Sequence, residues 1–98
     1  MNMQAMLKQA QQMQKDMMEK KAEIDAQEFV FENEVLIIKM MGDKRVVSVK
    51  IKIDPISNED REIMEDIVMV AINKLMDDID KETDAKLGKY TQAMPGVF

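Results

Sequence analysis

No cysteine and no histidine occur among the 98 residues. Without cysteine there is no disulfide, no thiolate metal site and no thiol nucleophile, a composition that fits a reducing compartment. Without histidine the commonest general base and the commonest metal ligand are missing too, which leaves only carboxylate, Lys, Ser/Thr or Tyr chemistry. Glycine and proline number only three and two, and none falls in residues 2–25. No run of 18 apolar residues occurs, and the opening MNMQAMLKQAQQMQ has neither the basic start nor the continuous apolar stretch of a secretory signal. The expected location is cytoplasmic, with no membrane partner.

What is present describes a folded domain. Apolar residues make up 46% of the chain and charged residues 34%, a soluble globular balance. A chain of this length buries a modest share of its surface and often gains stability by pairing. The net charge is −5 and is unevenly spread. Residues 1–25 carry four acids and four bases, residues 26–56 five of each, and residues 57–98 ten acids against five bases. The whole excess therefore lies in the C-terminal third.

Residues 2–25 are rich in Met, Gln, Lys, Glu and Ala and predict a helix of roughly 36 Å at 1.5 Å per residue. In heptads, Met3, Ala10, Met17 and Ile24 take one seam position and Met6, Met13 and Lys20 the other, with Leu7 widening the stripe. Residues 26–54 change period. AQEFVFEN, EVLIIKMM and RVVSVKIKID read as three strands of an antiparallel meander. Asn33-Glu34 marks a tight turn, and Gly42-Asp43-Lys44 a second hairpin connection in which Gly42 is free to take positive φ. Val47, Val49, Ile51 and Ile53 alternate with Ser48, Lys50 and Lys52, so the third strand should have one dry face.

Pro55 ends that strand. Ser57 followed by Asp60 resembles a capping box, and acidic Glu59, Asp60 and Glu62 suit a helix start. The second helix should span residues 57–87. Its stripe Ile63, Ile67, Ala71, Leu75 and Ile79, beside Met64, Val68, Ile72 and Met76, should supply the main core. DKETDAKLGKY is polar, so the helix should project or fray there and stop at Gly88, leaving 88–98 as a mobile tail. The expectation is a single α+β domain over residues 1–98, of order α-β-β-β-α: helical arm 1–25, meander 26–54, helix 57–87 and tail.

Acid pairs such as Glu65-Asp66 and Asp77-Asp78 point about 100° apart on a helix and do not converge on a metal. No phosphate loop, EF-hand spacing or nucleophile dyad occurs. No catalytic residue, metal, cofactor or small-molecule substrate is therefore expected. Dimerisation is suggested twice: the first helix outreaches so short a sheet, and the second is too broadly apolar for one dry face to hide both. Met side chains also suit a protein partner. A homodimer would carry twice −5, or −10, which opposes general attraction to DNA and confines any nucleic-acid contact to local clusters.

Four segments in order resemble the YbaB/EbfC family of bacterial nucleoid-associated proteins: LKQAQQMQKDM (7–17), IDP (53–55), REIMEDIVMVAIN (61–73) and the closing Pro95-Gly96. The resemblance implies an obligate-type homodimer with a shared core of sheets and second helices, the first helices projecting as arms. It also implies binding to double-stranded DNA, a change in DNA conformation, a nucleoid location, and a role in gene regulation, nucleoid organisation or DNA protection. On the matching motif, Lys8, Gln9, Gln12 and Lys15 become DNA-contact candidates, with Lys81 and Lys86 near the end of the second helix. Ile63, Ile67, Ala71, Leu75, Val47, Val49 and Ile51 are the candidates for the core and dimer face. The rival reading is a dimeric protein-interaction module with weak or no DNA binding.

Overall fold

The first helix, α1 (Met3–Asp25), starts where the Asn2 side chain accepts hydrogen bonds from the backbone N–H groups of Gln4 and Ala5. Two donors that a helix start leaves unpaired are thereby satisfied. In the computed structural model, which describes residues 2–93, three strands follow, β1 (Glu28–Glu32), β2 (Leu36–Met41) and β3 (Val46–Ile51), and then helix α2 (Asn58–Ala93). The strands form one antiparallel sheet in the order β1-β2-β3. The α-β-β-β-α order and α+β class are those expected from the sequence.

Turn chemistry sets the register. The Asn33 carboxamide oxygen accepts from the N–H groups of Val35 and Leu36 at 2.8 and 3.0 Å, and Asn33 N–H donates to Leu36 O at 3.0 Å. Such a side-chain-closed turn needs no glycine. Glu32 then stands opposite Ile37, which places Leu36, Ile38 and Met40 together on the buried face. These three meet Ala71, Leu75 and Ile79 of α2, with Phe29, Phe31, Ile67, Val68, Ile72 and Met76 packed around them. At the start of α2, Ser57 Oγ accepts from Asp60 N–H at 3.1 Å, the cap expected there.

The second hairpin corrects one expectation. The positive φ falls on Lys44, at 67°, not on Gly42. Gly42 is required for a different reason. Its backbone lies so close to the end of α1 that a Cβ would sit 1.7 Å from Ile24 O, and its N–H donates to Gln27 O at 2.9 Å.

The third strand corrects another. A bulge opposite Lys39/Met40 brings Val46, rather than Val47, opposite Met40, so strict alternation fails at the start of the strand. Val49 and Ile51 do stand beside Ile38 and Leu36 on the core face. Yet all six residues of β3 are exposed in the protomer, because α2 packs mainly on β1 and β2. Val47, Val49 and Ile51 are therefore not core residues of the single chain. Ile63 is exposed as well, Ile67 half-buried, and only Ala71 and Leu75 of the α2 candidates are fully enclosed.

The largest departure is the end of α2, which runs through Gly88 to Ala93 instead of fraying at residue 87. Leu87 and Tyr90, three apart, are buried against Met17 and Ile24 of α1, with Met13 packed alongside. Two large apolar residues in a polar run suffice because a second helix is there to receive them. Packing overrides the cost of about 1 kcal/mol for an interior glycine. The same contact says what covers the α1 seam nearer the sheet: from Met13 to Ile24 it packs on the chain's own α2. Of the tail expected at 88–98, residues 88–93 belong to the helix, and 94–98 lie outside the described residues.

At the open ends of the strands, Lys52 Nζ donates to Glu32 Oε2 at 2.6 Å and to Asn33 O at 2.8 Å. That hydrogen bond, then the Lys52 charge, hold the Glu32 carboxyl below its ordinary value of 4.5; desolvation opposes them and Lys39 adds to them. A carboxyl lowered in the folded state contributes stability that is present above the ordinary carboxylate range and is lost as pH falls through the folded value. The Tm difference between the native chain and Glu32→Gln should therefore be largest near neutrality and shrink on acidification. A difference independent of pH would show that the pair contributes no charge-linked stability.

Candidate nucleic-acid interface

Two helices, not one, form the projecting part of the molecule, which measures 70 × 18 × 15 Å overall. Lys21, Ile24 and Asp25 of α1 lie near Ile79, Asp80, Thr83 and Leu87 of α2, while Asp16, Glu19, Lys20 and Glu23 lie near Tyr90. The helices thus run antiparallel, and α1 continues toward its N-terminus past the described end of α2. Asn2 and residues 3–12 of α1 are exposed throughout.

Along this end of α1, Lys8 and Lys15 are seven residues apart. At 100° per residue they point about 20° apart, separated by about 10.5 Å along the axis. Gln12 lies about 40° from Lys8 on the same line. All three are exposed and face away from the seam that holds Met17 and Ile24. Gln12 is already engaged, donating through its amide to Asp16 Oδ1 at 2.9 Å. Gln9, about 100° from Lys8, is exposed on a flank rather than on the lysine line.

The α2 candidates are not brought together. Lys81 and Lys86, five residues apart, point about 140° away from each other. Lys81 is exposed, whereas Lys86 is half-buried and ion-paired to Glu82 at 3.1 Å. Of the six DNA-contact candidates, Lys8 and Lys15 form the one geometrically coherent pair of cations.

Two features escaped the residue-by-residue reading. The first acid of the chain is Asp16, so residues 2–15 carry Lys8 and Lys15 with no opposing carboxylate. Counting charge over residues 1–25 averaged this basic tip with the acids nearer the sheet. Secondly, three of the ten acids of α2 are paired in place, all of them in the half of the helix nearer the arm: Asp78 with Lys74, Asp80 with Lys44 at 2.9 Å, and Glu82 with Lys86. The arm end is thus the locally positive part of an acidic protein. Lys89 stands 4.9 Å from the centre of the Tyr90 ring, a contact that steadies a cation at the flank of the arm.

Among the described residues no cluster of three or more potential metal ligands occurs, and no helix is long and apolar enough to cross a membrane. The arrangement offers exposed cations and amides on an elongated helical support, suited to contacts with phosphate oxygens, which position a protein on a duplex.

A family model described as the YbaB/EbfC DNA-binding family matches residues 1–94. A protein named Nucleoid-associated protein from Enterococcus faecalis is 40% identical over 97 residues, covering 97% of this chain and 93% of its own. Another so named from Ligilactobacillus salivarius is 37% identical over 101 residues, covering 99% and 95%. A third, from Lactococcus lactis, is 40% identical over 97 residues, covering 97% and 98%. With a match across almost its whole length, this chain belongs to the YbaB/EbfC DNA-binding family.

Proposed function

We propose that this protein is a nucleoid-associated protein that binds double-stranded DNA as a homodimer and alters its conformation, in the service of gene regulation, nucleoid organisation or DNA protection. It acts by binding, with no reaction to catalyse. The observation that carries the reading is the acid-free end of α1, where Lys8 and Lys15 share one exposed face in a chain whose family is a DNA-binding one. Gln9 and Gln12 would supplement them, Gln12 by exchanging its bond to Asp16 for a phosphate or groove edge. Lys81 is a lesser contact, and Lys86 would first have to leave Glu82.

The dimer rests on a separate observation. On the core face of the sheet, Val49 is 56% and Ile51 45% exposed beside the fully buried Ile38 and Leu36. On α2, Ile63 and Val70 are similarly open. These residues extend the core outward with nothing over them, and a second copy would bury them at about 25 cal/mol per Å² of apolar surface. Light scattering after size exclusion should give a dimer mass at micromolar protein, and Val49→Lys should shift it to monomer. A native monomer at that concentration would remove this part of the proposal.

DNA binding is tested by gel shift across a salt series. Each phosphate contact contributes about 0.9 to the slope of log K against log salt. Lys8→Ala/Lys15→Ala should therefore flatten the slope by about 2 per protomer and weaken binding about tenfold or more at low salt, roughly equally for all sequences. Binding unaffected by both salt and substitution would overturn the phosphate clasp. No binding even at low salt would favour the protein-interaction module, which the apolar α1 tip and the net charge of −5 would suit.

A further inference from the structure

The seam that joins α1 to α2 does not end where the described part of α2 ends. It continues along α1 through Ala10, Leu7, Met6 and Met3, which share an open apolar hollow, with Met3 82%, Leu7 63% and Met6 50% exposed. We infer that this tip is a second self-association surface, through which the arm of one molecule pairs with the arm of another so that DNA-bound copies are held together.

Three observations select a second copy as the occupant. The exposed stretch repeats the heptad spacing of the buried one: Met3 and Ala10 continue the line of Met17 and Ile24, and Met6 continues that of Met13. A seam of this kind is complementary to another helix, and to itself. Charge is arranged to permit the pairing. Met6 and Ala10 lie roughly opposite Lys8 and Lys15 around the helix, about 160° from Lys8 and about 140–180° from Lys15 at 100° per residue, with Leu7 on the flank about 80–100° from both. Two tips joined face to face would therefore turn their lysines outward to separate stretches of DNA, with no like charges across the seam. The area is also telling. Four residues per helix fall far short of the roughly 800 Å² per partner of a stable interface, so the contact forms where DNA concentrates the arms and not as the resting oligomer.

This surface is remote from the proposed dimer face. Val49, Ile51 and Ile63 belong to the sheet and the beginning of α2, whereas the tip lies past the described end of α2 in a molecule 70 Å long. Pairing of tips would thus link one dimer to the next. Density on DNA would feed back on affinity, and binding would be cooperative.

The cooperative consequence rests on the DNA reading; the pairing itself does not, and the experiment separates them. Native chain labelled with ¹³C at the methionine methyls is followed by NMR from micromolar to millimolar protein without DNA. The Met3 and Met6 signals should shift with concentration while Met17 stays fixed, and Leu7→Lys should abolish the shift. On DNA, Leu7→Lys should retain affinity for a short duplex that holds one dimer but lose cooperativity on long DNA, the Hill coefficient falling to one. Tip signals that do not move with concentration would overturn the proposal whether or not the protein binds DNA. Tip signals that move on removal of residues 94–98, but not with concentration, would assign the seam to the chain's own C-terminal segment and equally overturn it. A native chain that shows the concentration-dependent shift yet never binds DNA would sustain the pairing and refute the clasp.

Discussion

Gly42→Ala should cost about 3 kcal/mol or more of stability, far beyond the usual effect of adding one methyl group to a turn. The Cβ would sit 1.7 Å from Ile24 O and 2.5 Å from the same residue's carbonyl carbon. Both are backbone atoms and cannot rotate aside, so the β2–β3 hairpin and the end of α1 would have to separate. The displacement would also break the bond from Gly42 N–H to Gln27 O. Overpacking of this kind typically costs about 1–3 kcal/mol and more where nothing can yield. For a domain of this size each kcal/mol lowers Tm by about 4–8 °C, so a fall of about 12 °C or more is expected. Thermal unfolding followed by circular dichroism measures it directly. A loss below about 1 kcal/mol would mean that the hairpin relaxes freely and that Gly42 is not what seats α1.

Leu87→Ala should have an effect of similar size but different reach. Leu87 is 1% exposed and lies with Met17, Ile24 and Tyr90 in a cluster distinct from the sheet core. Replacing a buried leucine by alanine costs about 2–5 kcal/mol, the spread reflecting how far the site collapses around the cavity. Because the neighbours here are one helix on each side, the loss should fall on the arm first. Hydrogen exchange should show α1 amides opening in the variant while amides of β2 stay protected. Leu75→Ala, in the other cluster, provides the contrast: exchange should quicken in sheet and helix alike. If Leu87→Ala also released β2 to the same extent, the two clusters would be one cooperative unit.

The contrast between these clusters explains how much of the molecule was legible in the sequence. The order of elements follows from local signals: a β-branched stretch between two helical ones, Asn33 at one turn, Gly42 at the other, Ser57 at a cap. What required the fold was the destination of each apolar face. Val49 and Ile51 alternate like buried residues, and their periodicity is the same whether α2 or a second copy covers them. Leu87 and Tyr90 look like incidental apolar residues in DKETDAKLGKY until α1 is seen to run back along them. Gly42 reads as a turn glycine because close approach between distant backbones leaves no local mark.

The candidate site was partly legible for a related reason. Lys8 and Lys15 could be assigned to one helix face from spacing alone, and the motif around them led to the family. Invisible in sequence was which cations were committed elsewhere, since the pairing of Lys44 with Asp80 joins a hairpin to a helix 36 positions away. Exposed pairs of this kind contribute little to stability, but they decide where net charge is left to act.

Helix α2 enters the arm without interruption, the same rod that carries Ala71, Leu75 and Ile79 also carrying Leu87 and Tyr90. It is therefore a lever whose fulcrum is the hydrophobic core. From Ile79 to Ala93 is about 21 Å at 1.5 Å per residue, so a tilt of about 5° at the fulcrum moves the described end of the helix by about 2 Å. That displacement is enough to make or break a phosphate contact. The gap between the arms of a dimer would accordingly be set by side-chain volume in the sheet core, and a conservative change there, such as Leu75→Met, could alter which duplex geometry the arms accept while touching no DNA at all.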